Sequence, residues 1–476
     1  MVAEKDKYIA AQHKRQEHVD TILNSSSNKS IVVAGPGTGK TYLFKMLLEG
    51  KSNTLTLSFV NALVEDLSLE LCGISDVKTL HGFALGVLKK FEKERAEKNN
   101  IDEEKTEIFP KLSSVIKEDA KILLEEDIDF DELFPNRDDD NRHIEFYKKR
   151  KDYYGHYGFS DIVFAAVKYF EKYKDKIPSF TQVVVDEFQD FNKLEVSLID
   201  LLAEKSSILL AGDDDQALYE SLKSASAMHI RERYSDETPE YASFNLPYCS
   251  RCPRVIVEAI NDIIKGSQAE GRLSKRINKP FQYFEDQQKD KVSDENPQII
   301  YRQKQAKQIP FYVQTDIERI AKQVRNKFTV LIISPTNTQC KTMVEALKGK
   351  GFKNIQFKEK SDTVEPTLLD GLKLLLKDKN CNLGWRIVAK NQLNDIEFKT
   401  LLVDTDKNCA KNVIELLKTD LKKETKQLLQ TLRAVRDRQD PGNDKLADLL
   451  KRVDIDIYGM AKDYLESEIK SFQTPS

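Results

Sequence analysis

Four short apolar runs punctuate the first half of the chain: residues 30–34 (SIVVA), 54–58 (TLTLS), 181–185 (TQVVV) and 207–211 (SILLA). Each is bounded by polar residues. Runs of this length, rich in β-branched residues, predict strands buried on both faces of a parallel sheet. Helical periodicity follows them, as KTYLFKMLLEG after the first and FVNALVEDLSLEL after the second. Strand alternating with helix predicts an α/β domain with right-handed crossovers. Between 85 and 178 the pattern changes to charged helical stretches, VLKKFEKERAEK and VIKEDAKILLEE, which predict a helical insertion within that domain. The polar segment EDQQKDKVSDEN at 285–296 has the composition of a linker. Beyond it, TVLII at 329–333 predicts another buried strand and CKTMVEALKGKG a helix, so a second α/β domain is expected to begin near 300. From 385 onward the chain reads as helical, with turn signals at DPGND (440–444) and no repeat at a fixed period. The expected division is 1–84 with 179–284 as the first α/β domain, 85–178 as its insertion and 285–299 as a linker. A partial second domain at 300–384 and a helical region at 385–476 complete it.

Composition adds a few limits. At 476 residues the chain is too long for one core. The formal net charge of -3 means that any nucleic acid would have to be held by a local basic groove rather than by overall charge. Six scattered cysteines (72, 249, 252, 340, 381 and 409) do not form a disulfide framework. The single C-x-x-C at Cys249 and Cys252 lacks the two further ligands of a zinc site, so ordinary thiols are expected. The N-terminus has no apolar core of a signal peptide, and no run of 18 apolar residues occurs, so the cytoplasm is the expected location.

The strongest chemical signal is Ala34-Gly35-Pro36-Gly37-Thr38-Gly39-Lys40-Thr41, between a predicted strand and a predicted helix. That context identifies a phosphate-binding loop: glycines let successive N–H groups face an anion, and the helix N-terminus adds partial positive charge. Lys40 is expected to reach the β- and γ-phosphates of ATP, and the Thr41 hydroxyl to bind Mg2+. Ala34 stands where the usual pattern has Gly. Directly after the VVV run come Asp186-Glu187-Phe188-Gln189-Asp190. An acid at the C-terminal end of a parallel strand faces the ligand crevice. Asp186 is expected to hold Mg2+ and Glu187 to orient the attacking water. A third turn, Gly212-Asp213-Asp214-Asp215-Gln216-Ala217-Leu218-Tyr219, follows the fourth run.

This third turn closely resembles the third motif of UvrD/Rep-type superfamily 1 DNA helicases, and DEFQD resembles their second. The resemblance implies a RecA-like P-loop fold with a helical insertion, then a second, incomplete RecA-like domain and a helical C-terminal region. It implies that Gln216 senses the γ-phosphate and links it to DNA contacts. Other segments follow in the family's order. Ser58-Phe59-Val60-Asn61-Ala62 is similar to the stretch whose aromatic stacks on a DNA base, making Phe59 and Asn61 DNA candidates; Val60 and Leu63 depart from the pattern. Thr79-Leu80-His81-Gly82-Phe83 is similar to the segment that grips single-stranded DNA through Thr79 and His81, and Phe159-Ser160-Asp161-Ile162 resembles D-F-x-D-L. Gln16 resembles the adenine-reading glutamine, with Gln12 as the other candidate. Arg251, in Leu246-Pro247-Tyr248-Cys249-Ser250-Arg251-Cys252-Pro253, aligns with the arginine that contacts the γ-phosphate. Ser250 then takes the family's stacking position, Tyr248 is displaced, and Tyr42 is the alternative ring for adenine.

TVLIISPTN at 329–337 resembles the opening of the family's second RecA-like domain, but no later motif follows it. Thr431-Leu432-Arg433-Ala434 lies in a plain amphipathic pattern, and the chain ends at SEIKSFQTPS without a closing strand segment. The expected function is ATP- and Mg2+-dependent translocation on single-stranded DNA, in repair, phage defence or another pathway. The alternatives are an ATP-controlled regulatory subunit and an RNA-directed helicase. A second polypeptide carrying the missing motifs, or a truncated copy, would account for their absence, and inefficient unwinding by this chain alone is expected.

Overall fold

The computed structural model describes residues 2–59, 61–99, 107–137, 141–217, 226–234, 240–295, 297–323, 328–334, 336–357, 365–378 and 381–404. Leu218, Tyr219, Cys409, DPGND and Thr431–Ala434 lie outside the described residues. The chain divides into two compact units, one of 1–296 with 364 onward and one of Pro297–Thr363.

In the first unit the strands are β1 (Lys29–Val33), β2 (Thr54–Ser58), β3 (Asp76–Thr79), β4 (Glu107–Ile108), β5 (His156–Tyr157), β6 (Gln182–Val185), β7 (Ile208–Gly212), β8 (Ala242–Asn245), β9 (Tyr248–Cys249) and β10 (Gln282–Tyr283). Six form one parallel sheet in the order β3-β2-β6-β7-β1-β8. Its register pairs Val33 with Gly212 and Asn245, Leu57 with Val185, and Ser58 with Thr79. All strands run the same way, so every chemical turn emerges at one edge. Three of the four central strands, β1, β6 and β7, alternate between two cores, while β2 (TLTLS) sends Leu55 and Leu57 into one of them and alternates them with buried polar residues. Ile31, Val33, Val183, Val185, Ile208 and Leu210 face one, and Val32, Ala34, Val184, Leu209 and Ala211 face the other. Covered on both sides, such strands read as unbroken apolar runs, each buried Val, Leu or Ile contributing about 1.5–3 kcal/mol. The edge strands β3 (DVKT) and β8 (ASFN) carry no such run, because one side of an edge strand meets water.

Helices α1 (Val2–Leu23), α2 (Lys40–Leu48) and α3 (Asn61–Glu70) supply much of one core's cover. The other is built on α4 (Leu80–Asn99), α5 (Leu112–Leu123), α6 (Phe130–Asn136), α7 (Arg142–Tyr154), α8 (Phe159–Lys172) and α9 (Lys193–Ala203). Further helices, Leu368–Lys377, Asn382–Gln392 and Asp395–Asp404, join this helical layer. The helix Asn382–Gln392 crosses position 385 and sends Arg386 into the layer, onto Asp119. The polar stretch at 285–296 holds the helix Gln287–Glu295, whose first turn is capped by Asp286 Oδ1 accepting from the N–H groups of Gln288 and Lys289, both at 3.1 Å.

In the second unit the helices Ile309–Gln323 and Asn337–Gly349 pack on each other. Residues 329–333 are not a strand; Leu331 and Ile333 are 83% and 84% exposed. A strand needs a partner for its backbone groups, and none exists among the described residues of this unit. Among the described residues, no helix is long and apolar enough to cross a membrane. Cys72, Cys249, Cys252, Cys340 and Cys381 are free thiols.

Candidate nucleotide site

The loop leaving β1 turns through Gly37 (φ 70°) and Gly39 (φ 100°), both left-handed, and α2 starts at Lys40. Thr38 Oγ1 donates to the Gly35 carbonyl at 2.8 Å, closing the loop on itself. A second segment lies across it. The N–H and Oγ of Ser250 donate to the Gly37 carbonyl at 2.8 and 3.1 Å, and the Cys249 thiol donates to the Pro36 carbonyl at 3.2 Å. A Cβ on Gly37 would lie 2.3 Å from Arg251 Cβ, so only glycine lets the two segments meet. Arg251 is thereby held over the loop with its side chain exposed. Ala34 is fully buried in the core, where its methyl packs beside Leu43 and Phe44, and its N–H extends the ladder to the Gly212 carbonyl at 2.9 Å.

Lys40 Nζ meets both oxygens of Glu187, at 3.0 and 3.1 Å. Burial works against the Lys40 charge, but Glu187, Asp186 and Asp213 together hold its pKa above the ordinary value. Asp186, at the end of β6, is pushed up to about 6 by burial and by Glu187, against the pull of Lys40. Its Oδ1 is buried with no hydrogen-bond partner. Two carboxylates thus face one cation. Glu187 itself is left-handed (φ 51°, ψ 46°), a costly conformation for a non-glycine residue. A buried carboxylate oxygen without a partner, at the strand end beside a glycine loop and its lysine, fits a divalent cation carried by a polyphosphate. Asp186 is placed to hold such an ion. Thr41, in the first turn of α2, is the other candidate ligand.

The acidic turn after β7 is organised differently. Asp213, Asp214 and Asp215 bring their carboxylates within 4.8 Å of one another. Lys279 reaches all three, at 2.5 Å from Asp213, 3.1 Å from Asp215 and in close contact with Asp214. Arg231 pairs with Asp214 at 3.1 Å and Arg276 with Asp215 at 2.9 Å. Three cations balance three carboxylates, so this cluster needs no metal. Burial opposes the Asp214 charge, yet Lys279 holds its carboxyl below the usual range. Gln216 turns inward and donates to Asp213 Oδ2 at 2.5 Å. Lys279, Arg276 and Arg231 escaped the sequence reading, because isolated basic residues far along the chain carry no motif.

Gln16 lies on α1, where its Nε2 donates to Asp20 at 2.8 Å and its Oε1 accepts from Tyr42 at 3.4 Å. Gln12 is exposed on the same helix. Tyr42 is 43% exposed, with the Arg15 guanidinium 5.6 Å from its ring centre. Tyr248 meets His18 edge-on at 5.8 Å. The structure therefore gathers Gln16, Tyr42 and Tyr248 around the N-terminal helix beside the loop, and adds Arg15.

At the far end of the same sheet edge, β2 and β3 deliver the residues expected to touch DNA. Thr79 Oγ1 accepts from the Gly82 N–H at 3.0 Å, capping α4. The His81 ring meets Phe159 edge-on at 5.8 Å, and Phe159 is half exposed. Phe59 is 9% exposed and packs edge-on against Phe191 at 5.6 Å, its ring within the core. Asn61 begins α3, and its side chain lies outside the described residues.

Residues 87–236 match the family model of the UvrD/REP helicase N-terminal domain. The match takes in most of α4, α5 to α9, Asp186–Asp190 and the acidic turn, and begins after the loop at 34–41. The chain is similar to the ATP-dependent DNA helicase PcrA of Staphylococcus epidermidis, 25% identical over 291 residues, covering 51% of this chain and 39% of the relative. It is likewise similar to the protein of that name in Staphylococcus aureus, 24% identical over 303 residues, 54% of this chain and 40% of the relative. The chain thus spans about two-fifths of the length of these relatives.

Proposed function

We propose, from the chain's place among the UvrD/Rep-type superfamily 1 helicases, that it binds and hydrolyses ATP and couples the cycle to single-stranded DNA. The observation that carries this reading is the Lys40–Glu187–Asp186 group, one cation short of neutrality, beside a loop turned by the left-handed Gly37 and Gly39. Residues 34–41 cradle the phosphates, and Lys40 exchanges Glu187 for phosphate oxygens when nucleotide enters. Glu187, freed from Lys40, orients the attacking water and accepts its proton. Arg251, held over Gly37, stabilises charge developing on the γ-phosphate. Asp186 and Thr41 would hold Mg2+, which would supply positive charge against the phosphate oxygens. Gln16, Tyr42 and Tyr248 form the base-binding side. Thr79 and His81, with the exposed Phe159 ring, line the strand path at the β2–β3 end of the edge, Asn61 is carried as a DNA candidate by its motif position alone, and Gln216 links the two ends.

ATPase activity measured with single-stranded DNA, single-stranded RNA and no nucleic acid tests this. Stimulation by DNA alone is expected; stimulation by RNA alone would replace DNA with RNA as the substrate. A second reading is favoured by the unpaired, exposed segment at 329–333: the chain switches with ATP but does not unwind unless a second polypeptide completes it. A strand-displacement assay on the pure chain, with and without the product of an adjacent reading frame, distinguishes the two.

A further inference from the structure

We propose that Gln189 is a positioning residue that holds the Glu187 carboxylate for water activation and ties it to the acidic turn carrying Gln216. This inference rests on the ATPase reading above. Gln189 is 1% exposed, in the short 3-10 turn Phe188–Asp190 after Glu187. Its Nε2 donates to Glu187 Oε2 at 2.8 Å, and its Oε1 accepts from the Asp213 N–H at 2.9 Å. The two partners demand opposite ends of the amide, so its orientation is fixed: a carboxylate only accepts and a backbone N–H only donates. Lys40 is the other group on Glu187, and it must leave when phosphate arrives. From then on the Gln189 amide still donates to the Glu187 carboxylate and can fix its orientation. The same amide joins β6 to β7. Asp213, whose N–H it accepts, also accepts from Gln216 and pairs with Lys279. A shift of the Gln216 turn therefore pulls on the amide that orients Glu187.

An independent feature agrees. Gly212 does not need glycine for its backbone, since its φ is not in the left-handed range. A Cβ there would lie 2.4 Å from Gln189 Oε1 and 2.9 Å from Ile230 Cδ1. The absence of a side chain at 212 is what admits the Gln189 amide.

The test uses the full chain with Mg2+, ATP and single-stranded DNA, and two variants. Gln189→Glu keeps the acceptor for Asp213 but sets a second carboxylate against Glu187. Its kcat should fall by about tenfold to a hundredfold, short of the roughly 10²–10⁴-fold worth of a whole general base, with KM for ATP unchanged. Gly212→Ala should show the same split by displacing the amide from the other side. The Asp213 amide, read by hydrogen exchange on nucleotide-free protein, should be protected in wild type and in Gln189→Glu and exposed in Gly212→Ala. A wild-type kcat in Gln189→Glu would overturn the proposal. So would kcat, KM and melting temperature worsening together, or an unprotected Asp213 amide in wild type. If wild type hydrolyses no ATP, the ATPase reading fails instead, and the exchange data still decide whether the amide bridge exists.

Discussion

Two groups of buried charge lie in the same unit, and they have opposite fates. In the helical layer, Asp119 is fully buried. Its Oδ2 accepts from Arg150 at 2.8 and 2.9 Å and from Tyr154 at 2.5 Å, and its Oδ1 accepts from Arg386 at 2.7 and 3.1 Å. Arg386 also reaches Glu118 at 2.8 Å. Burial alone would raise the Asp119 pKa, but Arg386 and Arg150 hold it below the ordinary range. At the sheet edge, Asp186 is almost as buried, yet its Oδ1 has no partner and its pKa climbs to about 6. Burial is common to both; satisfaction is not. A charge with every lone pair met has a structural task, whereas a charge left short is stable only if something else arrives.

The sharpest way to break that contrast is to remove a member from each group. Lys40→Ala should abolish phosphate binding and lower ATPase activity on the order of 10²–10³-fold or more, the scale of losing one charge-stabilising donor. Its melting temperature should hardly change, because that group was never internally balanced. Steady-state hydrolysis and a nucleotide-binding titration check it; wild-type turnover would refute the loop assignment. Glu187→Gln should differ by keeping ATP binding while losing turnover. Asp119→Ala should do the reverse. Two buried guanidiniums lose their shared carboxylate, which should cost about 3–5 kcal/mol of unfolding free energy. ATP affinity of the folded fraction should stay as it was. Urea unfolding alongside the same titration decides; a drop in affinity without a drop in stability would mean that the helical layer takes part in the site.

Much of the sheet edge was legible because it is local. A strand, a glycine loop and Lys40 are contiguous, and the acids follow their strands by one residue, so spacing alone places them. Central strands were legible as unbroken apolar runs, and β3 and β8 were not, for the reason given by their edge positions. The polar stretch 285–296 holds a helix capped by Asp286, which polarity alone did not disclose. The balance of the acidic turn was out of reach, since Lys279 lies more than sixty residues from Asp214 and only the fold joins them. The same holds for Arg386 and Asp119, 267 positions apart. Phe59 teaches the converse: a motif position gives the residue type, while burial depends on Phe191, which no local pattern reveals.

Phe59→Ala accordingly sharpens the division between core and surface on the DNA side. Removing a buried ring should cost roughly 3 kcal/mol of stability or somewhat more. Binding of single-stranded DNA per folded molecule should be unchanged. A melting curve and a binding titration on one preparation separate the outcomes. A loss of about 1–3 kcal/mol in affinity, the worth of one base–aromatic stack, with stability intact would place Phe59 against a base.

The smallest expected effect concerns a third buried acid that falls between the two extremes. Asp161 Oδ1 accepts from the Gly158 N–H at 2.5 Å and from Tyr147 at 3.0 Å, but Oδ2 is buried without a partner. Burial pushes its pKa up to about 7, despite the pull of Lys151 and these two donors. An unfolded aspartate titrates near about 3.9, so between pH 4 and 7 the folded chain holds a proton that the unfolded chain has lost. The contribution of this group to stability is therefore complete below about pH 4 and is lost as pH rises through about 7. Asp161→Asn keeps an oxygen for both donors and carries no charge at any pH. Near pH 4 the variant and wild type should unfold at nearly the same denaturant concentration, and the gap should open from there to about pH 7. By pH 8 the variant should be more stable by roughly 1–3 kcal/mol, somewhat under the full linkage value. Urea midpoints across that interval give the answer. If the variant is instead weaker at pH 8, the charged carboxylate is the form that the fold needs, and Asp161 belongs with Asp119 among the satisfied charges.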